Sequence, residues 1–77
     1  MKYPNIRNLR EDSDLSQKVI AQYLNVTQNS YSRYETNDRN IPIEILDKLA
    51  DFYNTSVDYL IGRTDEKKPY PKIKMNR

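Results

Sequence analysis

Apolar residues recur at helical spacing in five short blocks, and this periodicity is the feature that most limits the fold of the chain. In the first block, for example, Ile6 and Leu9 share one helical face. No segment alternates apolar and polar residues as a half-buried strand does. The predicted helices cover about residues 5–12, 16–24, 28–35, 42–54 and 57–61.

The residues between these blocks are suited to starting and ending helices. Ser16, Thr27 and Ser56 can each accept a hydrogen bond from a free backbone N–H at a helix start. Asn25 tolerates the left-handed conformation that ends a helix, and Gly62 is placed to stop the last one. We therefore predict an all-α chain of five helices with short connections.

For a chain of 77 residues we expect one hydrophobic core and therefore one domain. We place this domain at residues 1–62, followed by a basic, extended tail at residues 63–77. The tail contains six basic and two acidic residues, two prolines and no helical period. Three roles remain open for it: a solubilising end, an arm that contacts DNA, or a segment that packs on a partner or on the domain itself.

The residues that the sequence lacks restrict its chemistry. It has no cysteine and no histidine, which removes disulfides, thiolate nucleophiles and the commonest acid–base groups and metal ligands. A single glycine excludes a glycine-rich phosphate loop. We expect no enzymatic activity, no cofactor and no bound metal. With no run of about 18 apolar residues and no apolar signal core, we also expect a cytoplasmic protein without a membrane segment.

Charge is unevenly distributed although the net charge is only +2. Residues 15–34 contain one lysine, one arginine and no acid. Residues 44–61 contain four acids and one lysine, which sum to −3, whereas the tail sums to +4. A polyanion would therefore meet the middle of the chain or the tail.

The second and third predicted helices are joined by residues 25–27, a three-residue turn with Val26 at its centre. This is the helix-turn-helix arrangement, in which the second helix is presented outward. At 100° per residue, one side of that helix has Tyr31, Tyr34 and Glu35. The opposite side has Asn29, Ser32, Arg33 and Thr36. One face can pack and the other can contact a ligand.

These segments together resemble the helix-turn-helix domain of the Cro and phage-repressor type, also called the XRE family. The resemblance covers about residues 5–63. It rests on Leu15-Ser16-Gln17, Ile20-Ala21, Leu24-Asn25-Val26-Thr27, Ser32-Arg33-Tyr34-Glu35, Leu49-Ala50 and Val57-Asp58-Tyr59-Leu60-Ile61-Gly62. It implies a compact, lambda-repressor-like DNA-binding domain.

The resemblance also implies roles for particular residues. The base-reading residues would be Gln28, Asn29, Ser32 and Arg33. The phosphate contacts would be Gln17, Thr27, Arg39 and Asn40. A partly buried ion pair would join Arg10 to Glu35, and loss of either partner should damage folding before affinity. The dimer interface would use Val57, Tyr59, Leu60 and Ile61, of which at least one must cover the core instead.

We thus predict a sequence-specific DNA-binding transcriptional regulator, a repressor whose homodimer occupies a palindromic operator. The alternative is an antitoxin-like or anti-repressor module whose tail, residues 63–77, binds a partner protein. Val19 and Tyr23 stand where charged surface residues are typical of the family. They are either an apolar patch for a partner or two isolated exposed residues.

Overall fold

The computed structural model describes residues 3–36 and 39–71, and in these ranges the chain forms five α-helices and no strand. The helices are α1 (Pro4–Asp12), α2 (Gln17–Leu24), α3 (Gln28–Thr36), α4 (Ile43–Tyr53) and α5 (Val57–Leu60). The predicted all-α fold is confirmed. A membrane-spanning helix needs about 20 residues, and the longest helix in these ranges, α4, has 11, so none of them could span a membrane.

The predicted N-caps are present at three helix starts. The side-chain oxygens of Ser16, Thr27 and Ser56 each accept a hydrogen bond from the backbone N–H three residues later. Each bond satisfies a donor that has no partner within its helix. Asn25 and Asn54, at the ends of α2 and α4, adopt left-handed conformations with φ of 60° and 55°. Short polar residues therefore set these five helix boundaries.

Every helix boundary lies within one residue of its predicted position, and two of the differences have a clear backbone cause. The sequence predicts that α4 begins at Pro42, but the ψ of Pro42, 149°, is extended, and Pro42 precedes the helix as its N-cap. The last helix ends at Leu60, and Ile61 is its C-cap with φ −94° and ψ 5°. α5 is consequently one turn long and depends on packing for its stability, since isolated helices of this length are unstable.

All five helices contribute to one core. The largest fully buried side chains are Tyr31, Ile6, Ile20, Leu24, Leu49 and Leu60. Burial of each of the five aliphatic side chains contributes roughly 1.5–3 kcal/mol relative to an exposed position. α1 packs on α3 and α5, and α2 packs on α3 and α4. The core thereby fixes the position of α3 from two sides.

The described part of the predicted tail, residues 63–71, has no helix and lies against the α4–α5 connection. The Thr55 hydroxyl donates a hydrogen bond to the Lys67 carbonyl oxygen. The Tyr70 hydroxyl donates to Asp58 Oδ2 at 2.8 Å, which raises the pKa of Tyr70. This part of the chain thus packs on the domain itself, and residues 72–77 lie outside the described ranges.

Candidate nucleic-acid interface

The turn between α2 and α3 fixes the direction in which α3 leaves the core. Asn25 reverses the chain in the left-handed conformation, and the Val26 N–H donates to the Ala21 carbonyl oxygen at 3.0 Å. Thr27 Oγ1 then accepts from the Ser30 N–H at 3.0 Å and opens α3. The two helices form the predicted helix-turn-helix arrangement, with α3 as the presented helix.

The two sides of α3 have different environments. Tyr31, Tyr34 and Glu35 are buried, and the two rings meet edge to face with centroids 6.5 Å apart. The residues predicted to read bases all lie outside the core: Gln28, Asn29 and Arg33 are exposed, and Ser32 is half-buried. Their amide, hydroxyl and guanidinium groups are the types that hydrogen-bond to base edges in the major groove.

An ion pair joins α1 to α3, as the resemblance implies. Arg10 Nε donates to Glu35 Oε2 at 2.6 Å, and Arg10 Nη2 donates to Glu35 Oε1 at 3.0 Å. The Glu35 side chain is 2% exposed. Arg10 Nη1 also donates to the Leu15 carbonyl oxygen at 2.8 Å. A buried carboxylate is tolerated here because it is paired and hydrogen-bonded.

The ionisation of Glu35 follows from these contacts. Burial alone would raise the pKa of Glu35, but Arg10 first, and then the neighbouring Tyr31 hydroxyl and the Gln17 amide, outweigh burial and hold that pKa below its ordinary value. The hydrogen bond to Glu35 in turn raises the pKa of Arg10. Both groups are therefore charged at neutral pH.

Gln17, predicted to contact a phosphate, has a protein partner that sequence reasoning missed. It is the first residue of α2, and its Nε2 donates to Glu35 Oε1 at 3.0 Å. The carboxamide has a second N–H with which it can donate to a phosphate. No local pattern indicated this contact, because the two residues are 18 positions apart.

The other predicted phosphate contacts lie near the start of α3 or in the connection after it. Arg39 Nη1 donates to Ser30 Oγ at 3.1 Å, which places its guanidinium beside the first turn of α3. Thr27 and Asn40 are exposed. The Thr27 hydroxyl accepts the capping hydrogen bond and still has its own hydrogen to donate.

Of the four predicted dimer residues, Leu60 must be removed from the set. It has no exposed surface, because it is the buried residue by which α5 packs into the core. Val57, Tyr59 and Ile61 are half-buried and retain surface for a contact. Asn5 Nδ2 donates to the Tyr59 carbonyl oxygen at 2.8 Å and ties α1 to α5.

The exposed apolar residues Val19 and Tyr23 lie one turn apart on α2, with 45% and 46% of their surface accessible. The Tyr23 ring packs against Phe52 of α4, with centroids 4.6 Å apart. Phe52 is itself 38% exposed, and no sequence pattern singled it out. Tyr23 is therefore not isolated.

An acidic groove of about 550 Å³ lies between α4 and the tail. Its lining includes Asp47, Asp51 and Asp58 together with residues 69–71. A phosphate backbone would be repelled from this side. Within the described ranges, no group of three or more acidic side chains is arranged to hold a metal ion.

Comparison with known proteins agrees with this geometry. The family described as Helix-turn-helix matches residues 6–60, and the chain belongs to this family. The resemblance to the XRE type is thereby confirmed.

Among its relatives is a Bacillus subtilis protein, the uncharacterized HTH-type transcriptional regulator YobD, which is 35% identical over 68 residues, or 88% of this chain and 59% of YobD. The cryptic phage CTXphi transcriptional repressor RstR of Vibrio cholerae is 33% identical over 73 residues, or 91% of this chain and 66% of RstR. Antitoxin PezA of Streptococcus pneumoniae is 33% identical over 58 residues, or 75% of this chain and 37% of PezA.

The chain thus spans only part of the length of these relatives, little more than half of YobD. No solved structure is significantly similar to it.

Proposed function

We propose that this chain binds double-stranded DNA at a defined sequence and represses transcription, as a homodimer on a palindromic operator. The observation that carries the proposal is the exposed polar face of α3, which the turn at residues 25–27 directs away from the core. Membership of the helix-turn-helix family and likeness to proteins named as regulators support it. The likeness to the repressor RstR favours repression.

In this proposal α3 enters the major groove with its first turn against base edges, the docking geometry of phage repressors and Cro. Gln28 and Asn29 each make a bidentate contact to adenine, which contributes roughly 1–3 kcal/mol of discrimination per base. Ser32 permits close approach or contacts a base edge. Arg33 reaches guanine or a phosphate.

Phosphate contacts fix the orientation of α3 in the groove. Gln17, Thr27, Arg39 and Asn40 donate to phosphates on either side of it. Each cation that neutralises a phosphate releases counterions, so affinity falls as salt rises. The combination of base and phosphate contacts makes the complex both sequence-dependent and salt-dependent.

Two copies occupy two half-sites about 34 Å apart, and the palindrome mirrors the two-fold symmetry of the dimer. The dimer contact uses the half-buried side chains of Val57, Tyr59 and Ile61. These side chains lie on α5 and at its C-cap, whereas the base-reading residues lie on α3.

Selection from random duplex DNA at two salt concentrations tests the proposal. The full chain should enrich a two-fold symmetric motif, and Gln28→Ala combined with Asn29→Ala should lose it. Asn8→Ala combined with Gln22→Ala is the matched control, because it removes the same side-chain types from exposed positions on α1 and α2. Retention of DNA without any motif, unchanged by the α3 variant, would mean electrostatic attraction only and would reject the proposal.

The second candidate is an antitoxin-like module that binds a partner protein through residues 63–77. The likeness to antitoxin PezA favours it. In that case the selection enriches no motif at either salt concentration, and Tyr70→Ala weakens a stoichiometric complex with the partner. A selected motif that depends on Gln28 and Asn29 would favour operator binding over this second candidate.

A further inference from the structure

One carboxylate oxygen connects the internal ion pair to the surface of α2. Glu35 Oε1 accepts from Arg10 Nη2 and also from Gln17 Nε2, each at 3.0 Å. Glu35 Oε2 accepts from Arg10 Nε. Three helices therefore meet at a single acid: Arg10 on α1, Gln17 on α2 and Glu35 on α3.

The chemistry of this acid determines how the Gln17 carboxamide is oriented. A carboxylate accepts hydrogen bonds and donates none, so the amide nitrogen of Gln17 must face Glu35 and the amide oxygen must face away. Arg10 neutralises Glu35, and the lowered pKa keeps the carboxylate ionised at neutral pH. The orientation of Gln17 is thus fixed before any ligand binds.

From this we infer that Glu35 is a positioning residue for DNA: it holds the Gln17 amide so that one N–H is bound internally and the second donates to a DNA phosphate. The inference rests on the proposed function and gives Glu35 a part in binding beyond its ion pair with Arg10. Because Arg10 neutralises the charge of Glu35, Glu35 can lie close to the phosphate backbone, separated from it by the Gln17 side chain, without repelling it.

Glu35→Gln is the discriminating variant, because it keeps the size of the side chain but can donate as well as accept, so that the Gln17 amide is free to turn over. We expect Glu35→Gln and Gln17→Ala each to lower affinity for the selected motif about tenfold, and the double variant to bind no more weakly than either. The enriched motif should stay the same, since a phosphate contact reads no base.

Arg10→Lys is the matched control. It disrupts the bidentate geometry and lowers stability, yet it leaves the carboxylate as the acceptor for Gln17. Affinity of the folded Arg10→Lys protein should therefore be unchanged. An equal loss of affinity in Arg10→Lys would assign the whole effect to stability and overturn the inference, as would additive effects of Glu35→Gln and Gln17→Ala.

A measurement on the unaltered chain covers the case in which Glu35→Gln does not fold. The two side-chain N–H signals of Gln17 in NMR spectra should differ from those of a free glutamine before DNA is added, and one should shift further on binding the motif. Signals at free-glutamine positions in the DNA-free protein would overturn the inference. Failure to find any motif would instead reject the proposed function, so the two failures are distinguishable.

Discussion

The turns before α3 and before α5 share a left-handed first residue and a backbone hydrogen bond, although the two helices that they introduce differ in length and exposure. Each turn begins with a left-handed asparagine, Asn25 or Asn54. In each, the next residue donates its N–H to the carbonyl oxygen of an alanine five positions earlier, at 3.0 Å in the first turn and 2.9 Å in the second. Each ends in a hydroxyl that caps the new helix.

The two regions differ in the helix that each turn introduces. α3 has nine residues, an exposed polar face, and the charged residue Glu35 holding it to α1. α5 has four residues and is held by the apolar Leu60. The turn therefore determines the direction of the following helix in both places. The side chains of that helix determine whether it exposes a polar face or is buried against the core.

The largest expected effect comes from breaking the contact that holds each helix. Arg10→Met leaves the Glu35 charge buried and unpaired, which should cost about 3–5 kcal/mol in the free energy of unfolding. Leu60→Ala leaves a cavity and should cost about 2–5 kcal/mol. Denaturant unfolding at pH 7 measures both. A loss below about 1 kcal/mol for Arg10→Met would mean that the pair does not hold α3.

Lowering the pH should change the stability of these two variants differently. The Glu35 pKa is lowered on folding, so the stability it contributes is present above the ordinary glutamate pKa and is lost as pH falls through the lowered value. Without Arg10, burial favours the protonated acid instead. The difference in unfolding free energy between wild type and Arg10→Met should therefore begin to shrink above the ordinary glutamate pKa of 4.5, where Glu35 of the folded variant takes up a proton, and should shrink further below it. The difference in unfolding free energy between wild type and Leu60→Ala should not change with pH. If the unfolding free energies of wild type, Arg10→Met and Leu60→Ala all varied with pH in the same way, the ion pair between Arg10 and Glu35 would be contradicted.

A smaller effect should result from loss of either capping hydroxyl. Thr27→Ala and Ser56→Ala should each cost about 0.5–2 kcal/mol, because each leaves a backbone N–H at a helix start without its partner. Only Thr27→Ala should also weaken binding to a single half-site of the selected motif, where no dimer contact is needed. Equal weakening by Ser56→Ala would show that the two turns are not distinct in function.

The smallest effect concerns the central residues of the turns, Val26 and Thr55. Thr55→Val removes the hydrogen bond to the Lys67 carbonyl and makes the second turn like the first. We expect a change of about 1 kcal/mol or less, together with faster trypsin cleavage after Lys67. Val26→Thr is the reciprocal control and should leave that cleavage rate unchanged. An unchanged rate in Thr55→Val would show that the hydroxyl does not hold the tail.

The turns were predictable because each depends on residues only a few positions apart. The capping of α2 by Ser16 and of α3 by Thr27 is local chemistry that a single sequence displays. The hydrogen bonds from Gln17 to Glu35 and from Thr55 to Lys67 join residues 18 and 12 positions apart. They depend on how the helices pack, which no local pattern specifies.

Leu60, the residue of α5 that faces the core, shows the same limit of prediction from sequence in a short helix. Four residues make little more than one turn, so periodicity cannot decide which of them faces the core. The family resemblance places Leu60 with its neighbours in the dimer surface, and periodicity could not show which of them is the one that covers the core; packing against the other helices determines that it is Leu60. The Arg10–Glu35 pair, 25 positions apart, was expected only through the family resemblance.

The link between α1 and α3 has a consequence for protein engineering. A designer who transplants only the α2–α3 unit into another scaffold takes Glu35 away from Arg10. The recipient would then inherit an unpaired buried acid, a penalty comparable to the stability reserve of many small domains. A transferable cassette must include α1, or the host must supply a guanidinium at the corresponding place.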